Sequence, residues 1–211
     1  MIEVTLLGLA LGAGEALAIG PLFIAIIHEA AARGFRAGWA VILGATATDA
    51  IFLPLLLLGA GILAATPGLL PWLSMVGVAG LLYLGIAAGR DARRLWRGIP
   101  HPVTGVARSF RRGILVTLTS PLGWVLWLGA DLPALMHSRE VGGLGGLALF
   151  VVAWFGASVA LEAALAFGAA RTGRALGGQG RACLSAGSAG IYFVLAATTL
   201  ATTILARVPG N

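Results

Sequence analysis

A chain of 211 residues that is 59% hydrophobic and only 10% charged cannot cover a water-facing surface with polar groups. Its mean hydropathy of +0.97 asks for lipid as the solvent. The formal charge of +6 comes entirely from Arg, with no Lys; cytoplasmic loops supply such charge without any nucleic-acid partner. The single cysteine, Cys183, excludes an internal disulfide and any multi-cysteine metal site.

A membrane span needs about 20 mostly apolar residues. In chain order, six stretches qualify: Val4–Ile27, Gly38–Leu63, Pro71–Gly89, Gly113–Pro133, Gly145–Ala170 and Leu184–Ala206. Ala16-Leu17-Ala18 looks like a signal-peptidase site, but no basic segment precedes it, so the first stretch reads as a retained span. The cuts fall at Arg33 to Arg36, Thr66-Pro67-Gly68, Arg90 to Arg112, Arg139-Glu140 and Arg171 to Arg181. The loops after the first, third and fifth spans hold every Arg except Arg139 and Arg207. Positive charge stays cytoplasmic, which predicts three inner loops and both termini outside. The longest Arg run reads first as a topology signal, with anionic-lipid contact as a further use.

Three features recur in order. Gly20-Pro21 pairs with Ser120-Pro121, Gly44-Ala45-Thr46 with Gly156-Ala157-Ser158, and Gly77-Val78-Ala79-Gly80 with Gly187-Ser188-Ala189-Gly190. Each half has three spans, so the second is expected to run inverted, an arrangement typical of secondary transporters. The predicted fold is therefore all-α and integral to the membrane: residues 1–98 form the first three-helix repeat with the start of a cytoplasmic loop, and 99–211 the inverted second. Pro21 and Pro121 each follow a small residue inside a span. Paired helix breaks of this kind point to a transport site, although a packing kink explains either one alone. Pro54 has no partner in the second half and reads as a kink.

Ionisable groups inside a span are costly and so are functional by default. Asp49 and Glu162 follow the shared Gly by five and six residues and suit proton carriage or a cationic group; a structural hydrogen bond is the competing reading. Glu15 lies close enough to Pro21 to share its cavity. Asp131 is expected near the outer end of its span and wet. Thr46, Thr48, Thr117 and Thr119 are expected to bond their own helix backbone, with Ser120 the exception. His28 and Glu29 are expected at a solvated cytoplasmic interface, and His137 in an outer loop. Gly8/Gly12 and Gly85/Gly89 license close helix packing. No zinc-protease, nucleophile-elbow or Walker pattern is present, which predicts neither an enzyme nor a cofactor.

These residues resemble the LysE/RhtB (lysine exporter) family of small bacterial efflux transporters. The matching text is Ala18-Ile19-Gly20-Pro21, then Ala32 to Gly38, Leu43-Gly44 and Asp49. Gly80 to Gly85 and Phe110 to Leu115 leading into Ser120-Pro121 continue it. The resemblance implies a multi-pass protein of the bacterial inner membrane that exports amino acids or similar small polar metabolites, driven by protons. It places Gly20, Pro21 and Asp49 on family motif positions. Ser120 and Leu122 stand where the family carries Asn and Lys around Pro121, which puts a lysine or homoserine type of substrate in doubt. The expected pathway residues are Glu15, Gly20, Pro21, Asp49, Ser120, Pro121 and Glu162. A cation or metal-ion transporter of the same superfamily and a non-transporting membrane subunit are the alternatives. The expected partners are a small-molecule substrate and membrane lipid, with no nucleic acid; a homodimer is compatible with so small a chain.

Overall fold

The computed structural model describes residues 1–64, 69–99, 105–120, 123 and 126–205. Pro121, Leu122, Trp124, His101, Arg207 and the Thr66-Pro67-Gly68 turn lie outside the described residues. All described elements are helical: α1 (Ile2–Leu17), α2 (Pro21–Arg33), α3 (Phe35–Ala64), α4 (Leu69–Trp96), α5 (Val106–Thr119), a π-helical turn (Trp127–Asp131), α6 (Leu132–Ala175) and α7 (Gly178–Leu205). Among the described residues, four helical stretches can cross a membrane by length and composition, or five when α1 and α2 are taken together as one bent span. The chain is a multi-pass membrane protein.

The first expected span is broken. Ala18 is extended (φ −63°, ψ 120°), as is Gly20 (φ −127°, ψ −175°), and Pro21 opens α2. Proline disfavours helix in the residue before it but fits the first turn of a new helix, where its missing N–H has no intrahelical partner to lose. The result is a full stop and a restart, with α1 and α2 bent by 64°. Pro54, by contrast, sits inside α3 without ending it.

The stretch Trp127–Ala175 is 49 residues long, about 74 Å if straight, far beyond a hydrocarbon core of about 30 Å. It does not run straight. Gly143 has φ 59° and ψ −144°, which only glycine adopts readily. A Cβ at Gly146 would strike the Ser138 carbonyl, although residues eight apart on one helix lie about 12 Å apart. The chain therefore folds back between 138 and 146. His137, expected in a loop, lies in the helix before this reversal, with Nε2 3.4 Å from Glu3 Oε1.

Packing uses bare backbone. A Cβ at Gly8 or Gly12 would run into the Phe150 and Trp154 backbone, one at Gly44 into Phe110, and one at Gly113 into Val41. Small residues let helices approach in lipid, where no hydrophobic force drives them together. Gly85 and Gly89 meet Phe193 and Ala189 of α7. Gly156 and Gly190 have open space where a Cβ would stand, so they do not share the packing role of Gly44 and Gly80.

Two cores result. The larger joins Ile24, Ile26, Val41, Ile42, Leu81, Leu84, Val116 and Tyr192. The smaller joins Val4, Trp127, Leu135, Phe150 and Trp154.

Candidate functional site

Between the two cores lies a cavity of about 90 Å³, room for several waters or part of a small polar solute. It is built around the α1–α2 break. Ala16, Ala18, Gly20, Pro21, Leu22 and Phe23 line it, so the end of α1 and the start of α2 both face it. A helix end leaves backbone carbonyls unpaired and a helix start leaves N–H groups unpaired. One wall thus combines an acceptor-rich and a donor-rich edge, with the corresponding helix dipoles.

Opposite this wall, α3 contributes Thr48, Asp49 and Phe52, α5 contributes Thr117 and Leu118, and α6 contributes Glu162. Ser120, Gly123, Leu126 and Trp127 complete the lining. Of the expected pathway residues, Glu15, Gly20, Pro21, Asp49, Ser120 and Glu162 meet in this one space; Pro121 is outside the described residues. Asp49 and Glu162 line one cavity, and Asp49 is a charged neighbour of Glu162. Glu15 has Asp131, Asp49 and Glu162 as electrostatic neighbours.

Asp131 corrects an expectation. Instead of lying wet at a span end, it is only 1% exposed. It sits in the π turn close to Glu15 and the Trp154 indole, and neither of its oxygens nor Trp154 Nε1 completes a well-formed hydrogen bond. A π turn inserts an extra residue into the helix and is frequent at functional sites. Trp127, in the same turn, brings its indole within reach of Asp49. Trp127 stacks edge-to-face on Trp154 at 5.2 Å, and Trp154 on Phe155 at 4.7 Å. Sequence reasoning left the Trp124 and Trp127 pair out of the site, because Trp also fits an interfacial belt. The only signal at Trp127 was its spacing of four from Asp131.

The hydroxyls divide. Thr48 donates to Gly44 O at 2.9 Å and Thr119 to Leu115 O at 2.7 Å, as helix hydroxyls commonly do. Ser120 Oγ instead accepts from Gly123 N–H at 3.1 Å, just past the end of α5. Thr117 Oγ1 is buried in the cavity wall without a partner. Among the described lining residues no basic side chain is present, and no three His, Cys, Asp or Glu side chains converge to metal-binding distance.

A second polar cluster lies beyond the cavity, toward the Arg-bearing ends of the helices. His28 and Glu29, expected at a solvated interface, are each 1% exposed. Glu29 is ion-paired with both Arg33 and Arg112. Ser109 Oγ donates to Glu29 Oε2 at 2.8 Å, and Arg33 Nη2 donates to Asp91 Oδ2 at 3.1 Å. Arg112 Nη1 lies 3.4 Å from His28 Nδ1, and His28 Nε2 lies 3.1 Å from Ser185 Oγ. With Nδ1 accepting from the guanidinium, Nε2 carries the proton and donates to Ser185. Arg33 and Arg112, read from sequence as loop cations, are therefore structural partners of one buried carboxylate. Composition cannot separate the two roles.

An all-helical membrane chain with a helix break and several carboxyls around one internal cavity is built as a transporter is. The chain matches the LysE type translocator family over residues 15–203, and it belongs to that family. It is 28% identical over 149 residues to a Bacillus subtilis protein named "Putative amino acid efflux protein YcgF", covering 68% of each chain. It is also 28% identical over 142 residues to an uncharacterized membrane protein of Pseudomonas aeruginosa, covering 63% of this chain and 64% of that one. No solved structure matches.

Proposed function

We propose that this protein is a proton-coupled exporter of amino acids or similar small polar metabolites in the bacterial inner membrane. The observation that carries the reading is the meeting of Glu15, Asp49 and Glu162 with the α1–α2 break in one cavity of a LysE-family chain. An amino acid has an ammonium and a carboxylate. The acidic wall suits the first, and the unpaired N–H groups at the start of α2 suit the second. Several carboxyls with no basic residue among the described lining must be neutralised by protons or by a bound cation, since unpaired charge is costly in a low-dielectric interior. Proton exchange at these groups would couple substrate movement to the proton gradient.

The same reading takes the chain as six spans in two inverted halves with both termini outside. The α1–α2 break, the fold-back at Gly143, and the end of α5 at an extended Ser120 support it. So do the positions of Arg33 at the end of α2, Arg112 in the first half of α5 and Arg181 near the start of α7. One half would rock against the other around the two breaks. The alternative of a dehydrated metal ion as cargo asks for several oxygen ligands converging on one point, which these carboxyls do not form among the described residues.

The test is uptake into everted vesicles under an imposed pH gradient, with a panel of amino acids. Gradient-dependent uptake that fails in Asp49→Asn and weakens in Glu162→Gln is the expected result. Uptake that ignores the gradient, or that Asp49→Asn leaves intact, overturns the proton-coupled reading.

A further inference from the structure

The buried Glu29 cluster is not needed to line the cavity, yet it joins four helices. Glu29, His28 and Arg33 are on α2, Asp91 on α4, Ser109 and Arg112 on α5, and Ser185 on α7. Its place relative to the cavity is fixed by two helices. On α2, Pro21 lines the cavity, and Glu29 is eight residues on, about 12 Å along the axis. On α5, Thr117 lines the cavity, and Arg112 is five residues before it, about 8 Å away. Both steps run toward the helix ends that carry the Arg residues. Tyr192, fully buried, spans the gap by donating its hydroxyl to Pro21 O at 3.3 Å.

We infer that this cluster is the closed gate on the Arg-bearing side, with Glu29 as the bolt that two guanidinium groups hold. The inference rests on the transporter reading. For a solute to pass between the cavity and the Arg-bearing side, α2 and α5 must separate where Glu29 meets Arg112. A gate made of apolar side chains would leave nothing unpaired on opening. This one exposes a carboxylate and two guanidinium groups that water can solvate only once the path is wet. Closure is therefore favoured while the site is dry, and opening is cooperative with hydration of the path. His28 extends the latch to α7 through Ser185, and Arg33 extends it to α4 through Asp91, so all four helices must shift together. A brace would hold the same residues together in every state; a gate must release them.

The test is access to a cysteine in the cavity wall. Thr117→Cys, made in a Cys183→Ser background that removes the exposed native thiol, is treated with a membrane-impermeant maleimide in everted and in right-side-out vesicles. An added cysteine at Arg94, exposed at the end of α4, reports which preparation presents the Arg-bearing side. From that side the parent protein labels slowly. Glu29→Gln is expected to label about tenfold faster from that side alone, as a shift of the closed population requires. Arg112→Lys, which keeps the charge, is expected to stay protected. Asp91→Asn, which loosens only the outer link, is expected to fall between them, and it carries the test if Glu29→Gln does not accumulate. Parent-like labelling from both sides in every accumulating variant, with Asp91→Asn among them, overturns the gate. The labelling needs no substrate. Loss of protection without amino-acid transport would therefore sink the exporter reading alone, and transport with unchanged protection would sink the gate alone.

Discussion

At the Arg-bearing end ion pairs are added to close glycine contacts such as Gly113 on Val41; at the opposite end rings and bare backbone hold the helices without them. Glu29, Arg33, Arg112 and Asp91 link α2, α4 and α5 across the first end. At the second, Gly8 and Gly12 of α1 lie against the backbone of Phe150 and Trp154, and Trp127 and Trp154 stack above the cavity. The difference has a physical consequence. Ring and backbone contacts weaken gradually as helices slide. Ion pairs in a dry interior are lost abruptly, because separating them strands charge. The two ends of the cavity are thus closed by devices with different sharpness.

The largest effect expected from breaking this comparison is at Glu29. Replacing it with Gln leaves Arg33 and Arg112 without their shared carboxylate in a buried site. Removing one partner of a buried pair costs about 3–5 kcal/mol. Thermal unfolding in detergent should show the variant clearly less stable than the parent. A change of under about 1 kcal/mol, the range of exposed pairs, would mean that Glu29 is solvated and that the two ends do not differ in kind.

At the aromatic end a smaller loss is expected. Trp154→Phe keeps a ring against Trp127 and Phe155 but removes the indole N–H beside Asp131 and some buried area. The expected cost is about 1–2 kcal/mol by the same unfolding measurement. A loss as large as that of Glu29→Gln would show that the indole holds Asp131 in place. The aromatic end would then be as charge-dependent as the other.

Much of this was legible in the residues. The α1–α2 break is legible in Gly20-Pro21, where an extended glycine precedes a proline that opens a new helix, whereas Pro54 alone does not stop α3. Glu15, Asp49 and Glu162 announce themselves, because a carboxyl in an apolar run has few bland explanations. The positions of Asp131, His28 and Glu29 were not legible, and the reason is common to all three. Each lies near a span end in the sequence, where solvent is the default. Only tertiary contacts decide whether a helix end is wet or covered. Asp131 is covered because the π turn carries it inward beside Trp154. Glu29 is covered because α5 lies across α2 and brings Arg112 with it. The fold-back falls in the cut expected between Pro133 and Gly145, but the choice of Gly143 as its pivot was not legible. One glycine among 32 makes the reversal, and nothing local distinguishes it from Gly142 or Gly145.

The smallest expected effect tests how far the charged end extends. Asp91 pairs with Arg33 through Nη2, while Arg33 also holds Glu29 through Nη1. The Arg33 and Asp91 side chains are 8% and 11% exposed, against 1% for Glu29, so the Asp91 link lies at the rim of the cluster. Asp91→Asn keeps an oxygen to accept from Arg33 and removes one charge, and Arg33 still shares Glu29 with Arg112. The expected cost is about 1 kcal/mol or less, close to that of an exposed pair. A double-mutant cycle of Asp91→Asn with Glu29→Gln reads the coupling directly. With Glu29 gone, Asp91 becomes the remaining carboxylate for Arg33, so its removal should cost more in that background than alone. Strict additivity would place Asp91 outside the network and shrink the charged end to α2 and α5.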